Sequence, residues 1–361
     1  MSSTTLSAQT ATTSAAAIKP ATERLATANR IFAFALSINL ILTVFCLVAY
    51  ATGKGTAIAG AFQVSVASIV NVLIGITLFH IIWGFVWYGV KNLLLARFVG
   101  MSKDDRRAAF SSRMAQPYEI PVLLEKYSER RIRITDMIGR RGRFITLALA
   151  AFFYLYVHID AERPGNFATA FLNANLMDGV LGTWLYIALF RNNSVIGAAL
   201  FGPQSRVMDG MLARANCLLI LTLWGLFKFV LVPIGTQLAA LYSPEQFALI
   251  FAFIWGSYIV TDTLAEVGGS LYGRQRIRVV GVGDINRKSI GGTVTGFIGA
   301  LVFCVALVAT HHLPASWYGL AICIALSNTT LELVSPRGTD DFTMATGNTL
   351  ICWVFGIWLA S

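Results

Sequence analysis

An all-α, polytopic membrane bundle of about nine transmembrane helices is the fold class this sequence predicts, and three observations carry the prediction. The 361 residues are 56% hydrophobic and only 13% charged, where a soluble domain runs to about 25% charged. Long apolar stretches recur along the chain, most of them near the ~20 residues that a helix needs to cross hydrocarbon. Lysine and arginine fall almost wholly in alternate connecting segments, which places the basic charge on one side of a membrane.

Residues 1–30 are rich in Ser, Thr and Ala and read as a disordered cytoplasmic tail. The apolar run after Arg30 is too long for a signal-peptide core, and no cleavage site follows it. Nine crossings are expected at 31–50, 64–90, 144–158, 176–190, 215–234, 247–268, 290–310, 316–334 and 342–360, the third and fourth being short. With the N-terminus inside, only Lys54 and Arg163 fall in outside loops, and Lys228 lies within a span. The positive-inside rule then puts the N-terminus in the cytoplasm and the C-terminus outside. The same asymmetry explains the net charge of +10 and removes the case for a nucleic-acid partner. Cys46, Cys217, Cys304, Cys323 and Cys352 lie in or beside apolar stretches and form no CxxC pair, so a disulfide framework or zinc site is not expected.

The chain divides into the tail, an N-terminal set of membrane helices over 31–240, and a region over 241–361 that carries the chemistry. Within the first set, segment 91–143 holds thirteen basic and six acidic residues, with Arg-Arg pairs at 106–107, 130–131 and 140–141. Its apolar positions Ile132, Ile134, Met137 and Ile138 suit a helix in the headgroup zone. Its arginines suit anionic membrane lipids, a lipid phosphate or cover for a site.

The candidate site lies between two apolar stretches. Asp262 and Glu266, four residues apart, share one helix face near the cytoplasmic end of the sixth span. Carboxylates at that depth are costly unless paired with a cation or wetted. A hard divalent ion such as Mg2+ uses one or two such carboxylates and completes its shell with phosphate and water. The basic loop that follows ends in Asn286-Arg287-Lys288-Ser289, directly before Gly291, Gly292 and Thr293. A helix starting near Ser289 presents free N–H groups to an anion, Lys288 adds a point charge, and the glycines admit close backbone approach. Packing between helices is the alternative use of Gly291, Gly292 and Gly296, and an internal ion pair is the alternative for the acids. No Walker A spacing or dinucleotide fingerprint is present. Asp340 and Asp341 open the ninth span after Pro336 and Gly338, where acids suit a helix N-terminus and can complete a metal-phosphate site; Arg337 beside them can bind phosphate or satisfy the acids. His311-His312 falls on the opposite side.

Asp262, Ala265, Glu266, Gly268 and Gly273, then Asn286, Lys288, Ser289, Gly292 and Thr293, and finally Leu333 through Asp341 form a pattern that resembles the CTP-dependent polyprenol kinase family. That family includes dolichol, phytol and certain diacylglycerol kinases and is distantly similar to phosphatidate cytidylyltransferases. Gly291 stands where a Glu is often seen, Asp341 replaces the usual Asn, and Met344-Ala345 replaces a Val-Pro. The resemblance implies an integral-membrane kinase that transfers the γ-phosphate of CTP to a lipid alcohol at the cytoplasmic face. Asp262, Glu266, Asp340 and Asp341 are then expected at the metal, with Glu266 as second ligand or base. Lys288, Ser289, Asn286, Arg287, Gly292, Thr293 and Arg337 are expected at the phosphates. The alternatives are a cytidylyltransferase, favoured by a lipid-phosphate pocket from Arg140, Arg141 or Arg143, and a non-catalytic lipid transporter.

Overall fold

The computed structural model describes residues 20–52, 66–111, 119–158 and 178–361, and it is mostly helical. The loops with Lys54 and Arg163, the side chain of Lys228 and the first nineteen residues lie outside the described set. Six helical stretches among the described residues are long and apolar enough to cross a membrane: Ala21–Val48, Val207–Phe227, Leu249–Tyr272, Ile290–Thr310, Ser316–Val334 and Asp340–Ala360. The chain is a multi-pass membrane protein by this measure.

In chain order the helices are α1 (Ala21–Ala51), α2 (Val66–Leu94), α3 (Lys103–Ser111), α4 (Ile120–Lys126), α5 (Glu129–His158), α6 (Thr183–Leu189), α7 (Val195–Gln204) and α8 (Ala213–Leu241). They continue with α9 (Pro244–Phe251), α10 (Ser257–Tyr272), α11 (Ile290–Thr310), α12 (Ser316–Val334) and α13 (Asp340–Ala360). Between α10 and α11 the chain forms a two-stranded antiparallel ribbon, β1 (Arg276–Arg278) and β2 (Arg287–Ser289), in which Ile277 pairs with Lys288.

One expected boundary differs. Helix α1 begins at Ala21, inside the stretch read as a tail, because Glu23 suits its first turn and Arg24 is buried against acids elsewhere in the chain. Of the stretch 176–190, the described part is one helix, in which the π-helical Asp178–Gly182 runs directly into α6; as described, Gly179–Leu189 is apolar but shorter than the six. The stretches 64–90 and 144–158 fall in α2 and α5.

Burial identifies the centre of the bundle. The Val207–Phe227 stretch is 67% buried, against 17% for Ala21–Val48, so α8 is wrapped by protein while α1 turns Leu40, Ile41, Leu47 and Val48 outward. A core of Phe227, Phe253, Tyr258, Trp317, Met344 and their neighbours joins α8 to α9–α13. Inside it, Asn348 donates to Asn328 Oδ1 at 2.9 Å and Asn328 donates to Ser257 Oγ at 2.9 Å. This fully buried chain fixes the register of α10, α12 and α13.

Helices α10 and α11 pack most closely because small residues face each other. A Cβ on Gly292 would lie 2.5 Å from the Ala265 carbonyl oxygen, and one on Gly299 2.1 Å from Leu264 Cδ1. Thr295 Oγ1 donates across the seam to the Leu264 carbonyl at 2.9 Å.

Segment 91–143 is not a loose solvated loop. Leu95, Val99, Met101, Ile120, Leu123 and Ile132 form a core of their own, shared with Val207, Met208 and Ile285. Burying these side chains contributes roughly 1.5–3 kcal/mol each. The basic segment is thereby fixed against the turn before α8 and the loop before β2.

Candidate active site: a charged cavity at the ends of α10 to α13

The sixth span ends where its sequence directs: α10 stops at Tyr272, and Gly273 caps it by donating its N–H to the Gly269 carbonyl. The next residue, Arg274, already starts the excursion to β1. Ser289 is the N-cap of α11 and accepts from the Gly292 N–H at 3.1 Å. Its hydroxyl therefore completes the helix start.

Backbone pairing joins the two distant motif segments. The Arg337 N–H donates to the Val280 carbonyl at 2.8 Å, and the Val282 N–H donates to the Arg337 carbonyl at 3.2 Å. Gly281 permits this: its φ is +151°, and a Cβ there would lie 2.4 Å from Arg337 N.

A cavity of about 100 Å³ opens at this junction. Asp262, Glu266, Lys288, Arg287, Ser289, Gly292, Thr293, Arg337 and Asp340 all line it. Asn286 and Asp341, also expected at the site, do not. Asn286 donates to the Gly281 and Gly283 carbonyls and shapes the loop, while Asp341 accepts from the Trp224 indole N–H at 3.3 Å.

Lys288 is held between acids. Its Nζ lies 3.1 Å from Glu332 Oε1 and 3.3 Å from Asp340 Oδ2, and it also donates to the Glu332 carbonyl. The Asp262/Glu266 pair faces arginines. Arg141 Nη1 is 2.5 Å from Asp262 Oδ2 and its Nε reaches Glu266, while Arg140 Nη1 is 2.6 Å and Arg206 Nε 3.2 Å from Glu266 Oε1. Arg337 is spent on structure: Nη2 lies 2.7 Å from Asp209, and Nη1 donates to the Ile285 carbonyl. Burial pushes its guanidinium down to about 10 despite the attraction of Asp209.

Among the described residues no three His, Cys, Asp or Glu side chains gather as a metal cage. Asp262 and Asp340, both lining the cavity, fit a Mg2+ that takes the rest of its shell from phosphates and water. Glu266, with three guanidinium partners, fits an organising role better than a ligand's.

Arg133, Arg206 and Arg276 also line the cavity and were not singled out by sequence. Arg133 sits in the run Arg130-Arg131-Ile132-Arg133 and Arg276 in the alternating Arg274–Arg278 run, Arg206 has no such company, and the packing of 91–143 against Val207 and Ile285 brings Arg133 and Arg206 into one cavity with Arg276. Comparison with known proteins finds no matching family model, curated protein or solved structure.

Proposed function

We propose that this protein is an integral-membrane lipid kinase that transfers the γ-phosphoryl group of CTP to a lipid hydroxyl at the cytoplasmic face. The observation that carries the reading is the meeting of Asp262, Lys288 and Asp340, from three separate segments, in one cavity at the helix ends. Phosphoryl transfer asks for positioning and charge neutralisation rather than covalent help from the protein, and that is what this set can supply.

Lys288, already oriented by Glu332 and Asp340, would neutralise charge on the donor's phosphates. The start of α11 adds the partial positive charge of a helix N-terminus, its Ile290 and Gly292 N–H groups being already bonded to the Gln275 carbonyl and Ser289 Oγ. Asp262 and Asp340 would hold Mg2+, which when bound draws charge from the β- and γ-phosphates. Glu266 would keep Arg140, Arg141 and Arg206 in place. The P–O bond to the γ-phosphorus breaks with CDP leaving, and a bond to the hydroxyl oxygen forms as its proton passes to a cavity carboxylate. CTP as donor and an alcohol as acceptor come from the family resemblance.

The test uses purified protein, Mg2+, a mixed lipid extract and CTP labelled separately at the γ- and α-phosphates. The kinase reading expects label in lipid from the γ position alone, with Asp262→Asn lowering the rate at least ~100-fold. Label from the α position alone would establish a cytidylyltransferase instead. No lipid label from either position would count against both enzymes and favour a transport role.

A further inference from the structure

One buried ion pair holds the main chain on both sides of Arg206. Lys91 Nζ lies 2.8 Å from Asp136 Oδ1, the two side chains being 1% and 4% exposed. The same Nζ donates to the carbonyls of Gly202 and Ser205, and Asp136 Oδ2 accepts from the Val207 N–H at 2.8 Å. The Ser205 carbonyl belongs to the peptide unit before Arg206, and the Val207 N–H to the one after it. Both planes that set the Arg206 dihedrals are therefore tied to one pair, which fixes the residue extended at φ −92° and ψ 130°. Gly139 keeps the way open, since a Cβ there would lie 3.0 Å from Lys91 Cδ. A buried ion pair by itself is weak support for stability. One that grips three main-chain groups around a single residue fits a positioning device.

The side chain held in this way enters the cavity. Among the arginines that line it, Arg133 and Arg276 pair with Glu129 and Arg337 pairs with Asp209. Arg206 instead pairs with α10, its Nε 3.2 Å from Glu266 Oε1, one turn along the helix from Asp262. Burial works against the charge of Arg206, but Glu266, Asp209 and Asp262 outweigh it and hold the guanidinium above the usual arginine range. Asp340 feels the charge of Arg206 as well as that of Lys288. Both acids proposed for Mg2+ thus stand in the field of this one guanidinium. Its Nη1 and Nη2 make no hydrogen bond or ion pair with the described residues, and the side chain is 22% exposed. A fork anchored at Nε with its other donors unused is ready for a phosphate oxygen.

We propose that Arg206 is a catalytic residue whose Nη groups donate to the γ-phosphoryl group while it is transferred, with Lys91 and Asp136 as the positioning residues that keep it there. The proposal rests on the kinase reading and deepens it. In the step, the γ-phosphorus parts from the bridging oxygen, which leaves with CDP, and bonds to the lipid hydroxyl oxygen, whose proton passes to a cavity carboxylate. Charge develops on the oxygens around the moving phosphorus, and a guanidinium fixed beforehand meets it without reorganising. Arginine serves phosphoryl transfer in this way where it reaches the γ-phosphate. Lys288, held by Glu332 and Asp340, serves the bound nucleotide.

The test follows transfer of label from γ-labelled CTP to lipid, with equilibrium binding of Mg2+-CTP in parallel, on the full-length protein and on Arg206→Ala. That variant leaves Glu266 its two other arginines. Its transfer rate should fall at least ~100-fold while its CTP affinity changes less than about threefold, the signature of a contact made in the transition state. Guanidinium ion, added well below denaturing concentrations, should restore part of the lost rate, and sodium chloride at the same concentration should not. Arg206→Lys, which keeps the charge without the fork, should stay slow. Asp136→Asn should slow transfer by itself yet add almost nothing in the Arg206→Ala background, because it acts through that side chain. Unchanged transfer by Arg206→Ala, a loss of CTP affinity as large as the loss of rate, or no rescue by guanidinium would overturn the catalytic role. Additive losses in the Asp136 cycle would overturn the positioning role. Wild-type protein that binds CTP but transfers no γ-label sinks the kinase reading and this role with it, whereas an active wild type beside an equally active Arg206→Ala sinks the arginine's role and spares the kinase.

Discussion

Asp284 shows how one residue's surroundings set its chemistry. Its side chain is buried, and Arg24 Nη1 lies 2.9 Å from Oδ2. Burial nevertheless outweighs that attraction and pushes the carboxyl up to about 6 from an ordinary 3.8. Between about pH 4 and pH 6 the folded protein therefore holds a proton that the unfolded chain has released. Stability from this group is present below about pH 4 and falls as pH rises through 6, by an amount on the order of 2–3 kcal/mol. Asp284→Asn should remove that slope. Thermal unfolding in detergent at pH 4.5 and 7 is expected to show the variant gaining on the wild type as pH rises, and a constant difference would contradict the assignment. At this scale the sequence was informative where residue types cluster. Lys288, Ser289, Asp262 and Asp340 stand in recognisable company, whereas Arg24 and Arg206 have no local signature and acquire their partners only through folding.

Among the elements, the loop between α10 and α11 depends on neighbours that the sequence keeps far away. Arg24, on α1, reaches Glu119 at 2.7 Å as well as Asp284, and Asp284 donates its N–H to the Asp209 carbonyl at 3.3 Å. Gly210 makes room: its φ is +59°, and a Cβ there would lie 1.8 Å from Asp284 Oδ2. Arg24→Ala leaves a buried carboxylate unpaired and should cost about 3–5 kcal/mol. In a double-mutant cycle, Asp284→Asn should recover part of that loss, with a coupling of roughly 0.5–3 kcal/mol. Strict additivity would show that the two residues do not act together. The helices α11 and α12 follow the expected 290–310 and 316–334, because each is one uninterrupted apolar run between polar breaks. The start of α1 was not legible. It depends on a tertiary ion pair, which leaves no hydropathy signal.

For the whole molecule, six described stretches can cross a membrane, and the basic segments bound to the cavity should lie on the cytoplasmic side. In a background lacking the five native cysteines, Ser102→Cys should be shielded from an impermeant thiol reagent in right-side-out vesicles, and Ser361→Cys should be labelled. The opposite pattern would move the cavity to the face without nucleotides. All five native cysteines are free thiols, so their replacement breaks no crosslink.

The cavity's role as a nucleotide-phosphate site is tested most directly by equilibrium binding of labelled CTP to the purified protein, with and without Mg2+. Saturable, Mg2+-dependent binding is expected, weakened at least about tenfold in Lys288→Gln and unchanged in the rim control Val280→Ala. An absence of saturable CTP binding by folded wild-type protein, or equal binding by Lys288→Gln, would contradict the account.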